Sequence, residues 1–128
     1  LFRGKRAGKT AALWGLAFKP ETDDMREAPA TVLIRMLLDA GCRVRAYDPI
    51  AMPEAERRLG REVTYCKDMY EAALDADALM LVTEWKQFRL PSWGVVKRAM
   101  RTPVLLDGRN IYDREELTAN GFTYYHIG

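Results

Sequence analysis

The stretch TAALWGLAFKPETDDMREAPATVLIRMLLDAGCRVRAYDP, residues 10–49, reads as strand, loop, helix and strand. Thr10 to Ala17 is a short apolar run that stops before polar residues, as a strand buried on both faces does. Between Ala30 and Ala40, the apolar residues Leu33, Met36, Leu37 and Ala40 recur at i, i+3, i+4 and i+7, the spacing of one helix face. Pro29 suits a first helical turn, where its missing N–H costs nothing, and Gly41 suits the place just past a helix end. Arg43 to Tyr47 is the second strand, closed by Asp48-Pro49. Two strands joined through a helix form a parallel pair with a right-handed crossover.

The alternation continues to the end of the chain. Strands are expected at Val63–Cys66, Ala78–Thr83, Pro103–Leu106 and Phe122–Ile127. Helices are expected at Pro53–Leu59, Met69–Leu74, Trp93–Met100 with Ser92 as its cap, and Arg114–Ala119 with Asp113 as its cap. The fold class that follows is α/β: a Rossmann-like, doubly wound three-layer α/β/α sandwich with about six mainly parallel strands. No repeat, low-complexity tract or linker divides it. Residues 1–9 are basic and read as the tail of a preceding element, and residues 10–128 as one domain.

Of the 128 residues, 48% are hydrophobic and 30% charged, so a packed core is feasible. A net charge of +2 is too small to argue for nucleic acid as a partner. No apolar run approaches the roughly 20 residues that span a bilayer. Leu1-Phe2-Arg3-Gly4-Lys5-Arg6 has neither an initiator Met nor the apolar segment of a secretory signal. The expectation is a piece of a longer cytoplasmic protein. Cys42, Cys66 and His126 make no zinc set, so no metal is expected. The two cysteines suit a reducing compartment and read as small core residues at strand ends.

In an open parallel sheet a ligand lies beyond the carboxyl ends of the strands. The loop after the first strand carries Phe18 and Lys19, and the loop after the fifth carries Asp107-Gly108-Arg109-Asn110. Lys19, a point charge, and Arg109, a planar fork, suit a phosphorylated ligand held between them. Pairing of either with Asp23, Asp24 or Asp107 is the alternative. Gly8-Lys9-Thr10 is no nucleotide-binding P-loop, because it precedes a strand and the glycine needed five positions earlier is Arg3. The dinucleotide fingerprint G-x-G-x-x-G is also missing, with only Gly15 near that turn. Asp48 stands where a ribose-binding acid would, but a turn before Pro49 accounts for it equally well. Asp23 and Asp24 more naturally meet Arg26 than a metal. Trp85 and His126 read as packing residues.

These loops carry a resemblance. Gly15-Leu16-Ala17-Phe18-Lys19-Pro20-Glu21-Thr22-Asp23-Asp24-Met25-Arg26-Glu27-Ala28-Pro29 closely resembles the motif that opens the last domain of the UDP-glucose/GDP-mannose dehydrogenase family. Tyr47-Asp48-Pro49, Thr83-Glu84-Trp85 and Asp107-Gly108-Arg109-Asn110 resemble its later landmarks, in order. The wording of the first motif looks most like the bacterial members that act on UDP-glucose. The resemblance implies that the full enzyme oxidises UDP-glucose to UDP-glucuronate with two NAD in succession, for polysaccharide biosynthesis. It implies that Phe18, Lys19 and Arg109 bind the nucleotide-sugar and that Arg26 reaches NAD held mainly by a preceding domain. It also implies a central dimerisation segment carrying a cysteine nucleophile. Neither Cys42 nor Cys66 matches that motif, so no catalytic residue is assigned here and the piece alone is expected to be inactive. GDP-mannose or UDP-N-acetyl-mannosamine is the alternative substrate within the family. A non-catalytic Rossmann-like interaction domain is the alternative outside it.

Overall fold

The computed structural model of the chain describes residues 8–126. The six strands β1 (Thr10–Trp14), β2 (Arg43–Tyr47), β3 (Val63–Tyr65), β4 (Ala78–Leu81), β5 (Val104–Asp107) and β6 (Thr123–His126) form one sheet, in the order β3-β2-β1-β4-β5-β6. Every neighbouring pair is parallel. The chain winds outward from β1 to β3, returns to β4 beside β1, and winds outward again to β6. The order reverses between β1 and β4, which is where such sheets open a crevice for a ligand.

The period-two alternation of the strands sorts the core into two layers. Ala12, Trp14, Leu79, Leu81 and Leu105 point to one face and pack with α3 (Met69–Ala73), α4 (Trp93–Ala99) and α5 (Arg114–Ala119). Ala11, Leu13, Val44, Ala46, Val63 and Met80 point to the other and pack with α1 (Pro29–Asp39) and α2 (Met52–Leu59). Trp14 anchors the first layer, stacked on Phe88 with ring centroids 5.2 Å apart and on Trp93 at 6.3 Å. Its indole N–H donates to the Met69 carbonyl at 2.8 Å, so a fully buried donor is satisfied. Trp85 and Trp93 are buried as well.

The expected elements are present, and their ends differ for local reasons. β1 stops at Trp14 instead of Ala17 because Gly15 turns the chain at φ +96° and donates to the Tyr47 carbonyl. Leu59 passes into a short 3₁₀ turn over Gly60–Glu62, and Lys86–Phe88 forms another. On α1 the residues that pack fully are Ala30 and Ile34, while Met36 is 65% exposed. Of the expected stripe, Leu33 and Leu37 pack partly buried against the core while Met36 turns to solvent, so the packed face centres on Ala30 and Ile34. Leu1–Ala7 of the expected tail, and Ile127 and Gly128 at the other end, lie outside the described residues. Gly8 and Lys9 already bond to Gly41 and Arg43.

Asp113 caps α5 through its side chain, which accepts from the Glu116 N–H at 3.0 Å. Ser92 stands at the cap position of α4 but its side chain makes no such bond. Its backbone N–H instead donates to the Tyr70 hydroxyl at 2.9 Å, a bond that needs no serine. Asp113→Ala is expected to cost about 1 kcal/mol. Ser92→Ala is expected to cost less than about 0.5 kcal/mol. Urea unfolding of the two variants measures the difference.

Candidate functional site

The loops at the carboxyl ends of the strands are tied together by two buried carboxylates. Asp48, fully buried at the end of β2, accepts from five N–H groups. One oxygen takes the backbone N–H of Leu16 at 2.8 Å and of Ala17 at 3.1 Å, and the indole N–H of Trp85 at 3.1 Å. The other takes Ile50 at 2.9 Å and Ala51 at 2.8 Å. Asp48 thus fastens the loops after β1, β2 and β4 to one another. With every oxygen occupied it has no room for ribose hydroxyls, so the turn-forming reading of this residue is the one realised.

Asp107 does the same on the other half of the rim. It accepts from the backbone N–H groups of Arg109, Ile111 and Tyr112 and from the Tyr124 hydroxyl. The pair costs Tyr124 its acidity: burial and the adjacent carboxylate both push its hydroxyl up. Gly108 beside it is dictated by space, because a Cβ there would lie 2.7 Å from the Leu81 carbonyl oxygen.

On this frame the four residues singled out from the sequence fall as follows. Phe18 is 45% exposed at the start of the β1–α1 loop, and Lys19 beside it is exposed. The loop is closed by the Phe18 N–H donating to the Asp24 carbonyl at 2.8 Å, and Glu21 takes a left-handed φ of +69° at its tip. Arg109 reaches across from the loop after β5, and its Nη2 donates to the Phe18 carbonyl at 3.1 Å. Lys19 and Arg109 therefore share one rim. Arg109 Nε also lies 3.5 Å from a Glu84 carboxylate oxygen at the end of β4. That separation is an ion pair without a hydrogen bond, and both atoms are buried with no hydrogen-bond partner. The ion-pair alternative for Arg109 is thus realised in part, with Glu84 in place of Asp107. Lys19 makes no ion pair among the described residues.

Arg26 stands farther along the loop, with its side chain 79% exposed and forked onto Asp24. Arg26 holds the Asp24 carboxyl well below its ordinary value of 3.8, at about 2, and its own guanidinium is pushed up in return. The depressed group favours the native loop above its ordinary range and loses that effect as pH falls toward 2. Carbon-detected NMR titration of Asp24 should give a midpoint near 2, and Arg26→Ala should return it toward 3.8. Arg26 is exposed and the Asp24 side chain a third exposed, so the pair orders the loop and adds little stability. The Asp24 carboxylate is taken by Arg26, the partner expected from the sequence. Among the described residues no cluster of ligand-bearing side chains is suited to a metal ion.

Beside Arg109 an apolar cleft of about 480 Å³ opens on the α1 side of the sheet. Leu33 of α1, Met80 of β4, Leu106 of β5 and Tyr125 of β6 line it, with Arg109 at its mouth. It exists because α1 and α2 cover only one half of that face. Sequence reasoning missed this wall, and it quoted Glu84 in a strand-end motif without pairing it with Arg109. The signal for Glu84 was its place directly after a fully apolar strand that neighbours both β1 and β5.

A complete dinucleotide site does not fit these residues. The Leu16 and Ala17 N–H groups, which would face a pyrophosphate in a Gly-rich turn, are spent on Asp48. Helix α1 starts at Pro29 after Ala28, so its first turn lacks one N–H and has no side-chain cap. Cys42 and Cys66 are buried and form no disulfide, and burial pushes the Cys66 thiol up, away from nucleophile chemistry. No helix among the described residues is long and apolar enough to cross a membrane.

Residues 12–114 match the model of the UDP-glucose/GDP-mannose dehydrogenase family, UDP binding domain. The chain is 50% identical to UDP-glucose 6-dehydrogenase of Pseudomonas aeruginosa, with 100% of the chain and 29% of that protein covered. It is 45% identical to UDP-glucose 6-dehydrogenase TuaD of Bacillus subtilis, with 98% of the chain and 27% of that protein covered. A solved UDP-glucose dehydrogenase from Pyrobaculum islandicum superposes with a TM-score of 0.76 at 32% identity, over 95% of this chain and 25% of that one. The chain spans 29% or less of the length of these relatives. With the ordered loop motifs, the doubly wound sheet and the match over most of its length, the chain belongs to the UDP-glucose/GDP-mannose dehydrogenase family, in its UDP binding domain.

Proposed function

We propose that this chain is the nucleotide-sugar-gripping domain of an NAD-dependent UDP-glucose 6-dehydrogenase of the cytoplasm. One observation carries the reading: the Arg109 guanidinium bonds the Phe18 carbonyl, so cations from the loops after β1 and β5 share one rim beside an open cleft. Lys19 and Arg109 hold the diphosphate, and Phe18 packs against the nucleotide-sugar. Glu84 keeps the Arg109 fork aimed while the site is empty, and the arriving phosphate takes the hydrogen bond that Glu84 leaves unmade. Exposed Arg26 reaches toward NAD, a hydride acceptor bound mainly by another domain of the same protein. The domain order has residues 10–128 following an NAD-binding and a central dimerisation domain, in a homo-oligomer. The substrate is UDP-glucose and the product UDP-glucuronate, and this chain holds the substrate without supplying a nucleophile. The 45–50% identity to enzymes named for UDP-glucose favours that sugar over GDP-mannose or UDP-N-acetyl-mannosamine.

In the full-length enzyme, Lys19→Ala and Arg109→Ala should each raise the UDP-glucose KM or lower turnover by about tenfold to a hundredfold, as expected for one lost charge-assisted contact. Circular dichroism should be unchanged. Unchanged kinetics in either variant refutes its assignment. Stronger protection from thermal unfolding by GDP than by UDP would move the substrate to the GDP-sugar branch.

A further inference from the structure

The opposite edge of the sheet carries a second concentration of cations. Thr10 and Arg43 open β1 and β2, and Arg45 and Thr64 stand at the middle of β2 and β3, with Thr10 paired to Arg43 and Arg45 to Thr64 across the ladders. Val44 and Ala46 belong to the layer under α1 and α2, so Arg43 and Arg45 point to the opposite face, where α3 lies. Helix α3 is short and ends at Ala73. Leu74, Asp75 and Arg101 complete a pocket of about 210 Å³ with these strand residues. Three arginines thus face one carboxylate, Asp75, in its wall.

The state of these arginines argues for a ligand. Arg45 is held rigid by donating from Nη2 to the Glu71 carbonyl at 2.8 Å, yet its Nε is buried with no hydrogen-bond partner. A buried donor on a guanidinium left without an acceptor is costly unless something fills the gap. Arg43 makes none of the ion pairs among the described residues. Arg101 stands 3.5 Å from Asp77, which is itself occupied by the Thr10 N–H, and its side chain remains 55% exposed. The neighbouring Glu71 carboxylate is taken by the Lys67 N–H. Planar forks converging beside two threonine side chains match the oxygens of a phosphoryl group better than a single carboxylate.

We propose that this pocket, at the end of the sheet away from the nucleotide rim, binds a phosphoryl group of a small anionic ligand through Arg43, Arg45 and Arg101. Its residues are separate from Phe18, Lys19, Arg26 and Arg109, so the site stands whether or not the nucleotide-sugar reading holds. Isothermal titration of the protein with inorganic phosphate and with ribose 5-phosphate, at fixed ionic strength, tests it. Saturable binding is expected, weakened about tenfold or more in Arg43→Gln and in Arg45→Gln. The titrations are run in the Arg109→Ala background, which removes the phosphate contact proposed for the nucleotide rim. Arg43 is exposed, so that variant tests the site without disturbing the core. Tighter binding of ribose 5-phosphate would point to a phosphate ester, and tighter inorganic phosphate to the free ion; both support the site. An equal heat with chloride, or equal affinity in Arg43→Gln and the parent, overturns it.

Discussion

Asp48→Asn is expected to destabilise the protein by about 3 kcal/mol, despite being nearly isosteric, because an amide nitrogen would face N–H donors. Each oxygen of Asp48 meets at least two donors, so neither orientation of an asparagine satisfies the site. Turning the nitrogen toward Leu16, Ala17 and Trp85 strands three buried donors, and turning it toward Ile50 and Ala51 strands two. The charge matters too, since hydrogen bonds to a carboxylate are roughly twice as strong as neutral ones. Asp48→Ala removes all five acceptor contacts and should cost more, about 4–5 kcal/mol. At roughly 4 °C per kcal/mol for a domain of this size, the asparagine variant should melt about 12 °C lower. The nucleotide rim should loosen with it, because Asp48 holds the start of the loop that carries Phe18 and Lys19. An Asp48→Asn protein within 1 kcal/mol of the parent would show that the five contacts are not acting together.

Gly15→Ala is expected to cost about 2–5 kcal/mol, the sum of two separate effects. Gly15 has φ +96°, where a side chain is strained by about 1–2 kcal/mol. A Cβ at this position would also lie 2.4 Å from the Thr83 Cβ and 2.6 Å from its backbone nitrogen. Overpacking against backbone adds about 1–3 kcal/mol. Thr83 cannot step aside cheaply, because its hydroxyl donates to the Ala17 carbonyl at 2.7 Å. Gly60→Ala is the control: it has φ +79° but open space within 4 Å of the added atom. It should cost only the backbone part. Equal losses in the two variants, read from urea unfolding, would rule out the clash.

Local patterning carried most of the fold. Short apolar strand runs, a 3.6-residue helix and turn residues between them are properties of neighbouring residues, legible without coordinates. The places where the reading slipped are those where a partner far along the chain decides. The packed face of α1 centres on Ala30 and Ile34, with Leu33 and Leu37 at its side and Met36 outside it, because the sheet beneath decides which turn of the helix is covered. Ser92 stands at the cap position, but Tyr70 binds its backbone and leaves its hydroxyl out of the cap.

The candidate site divides along the same line. That Lys19 and Arg109 end up at strand termini on one rim follows from the βαβ repeat, since every parallel strand delivers its carboxyl end to the same edge. Strand order, read along the chain, does not say that β4 lies between β1 and β5, and so it hid Glu84 beside Arg109. Nor did it reveal that Asp48 spends both oxygens on three different loops. Patterns of residue type encode which face and which edge a side chain occupies; contacts between loops dozens of residues apart arise only when the crossovers close and a buried charge must find every donor within reach.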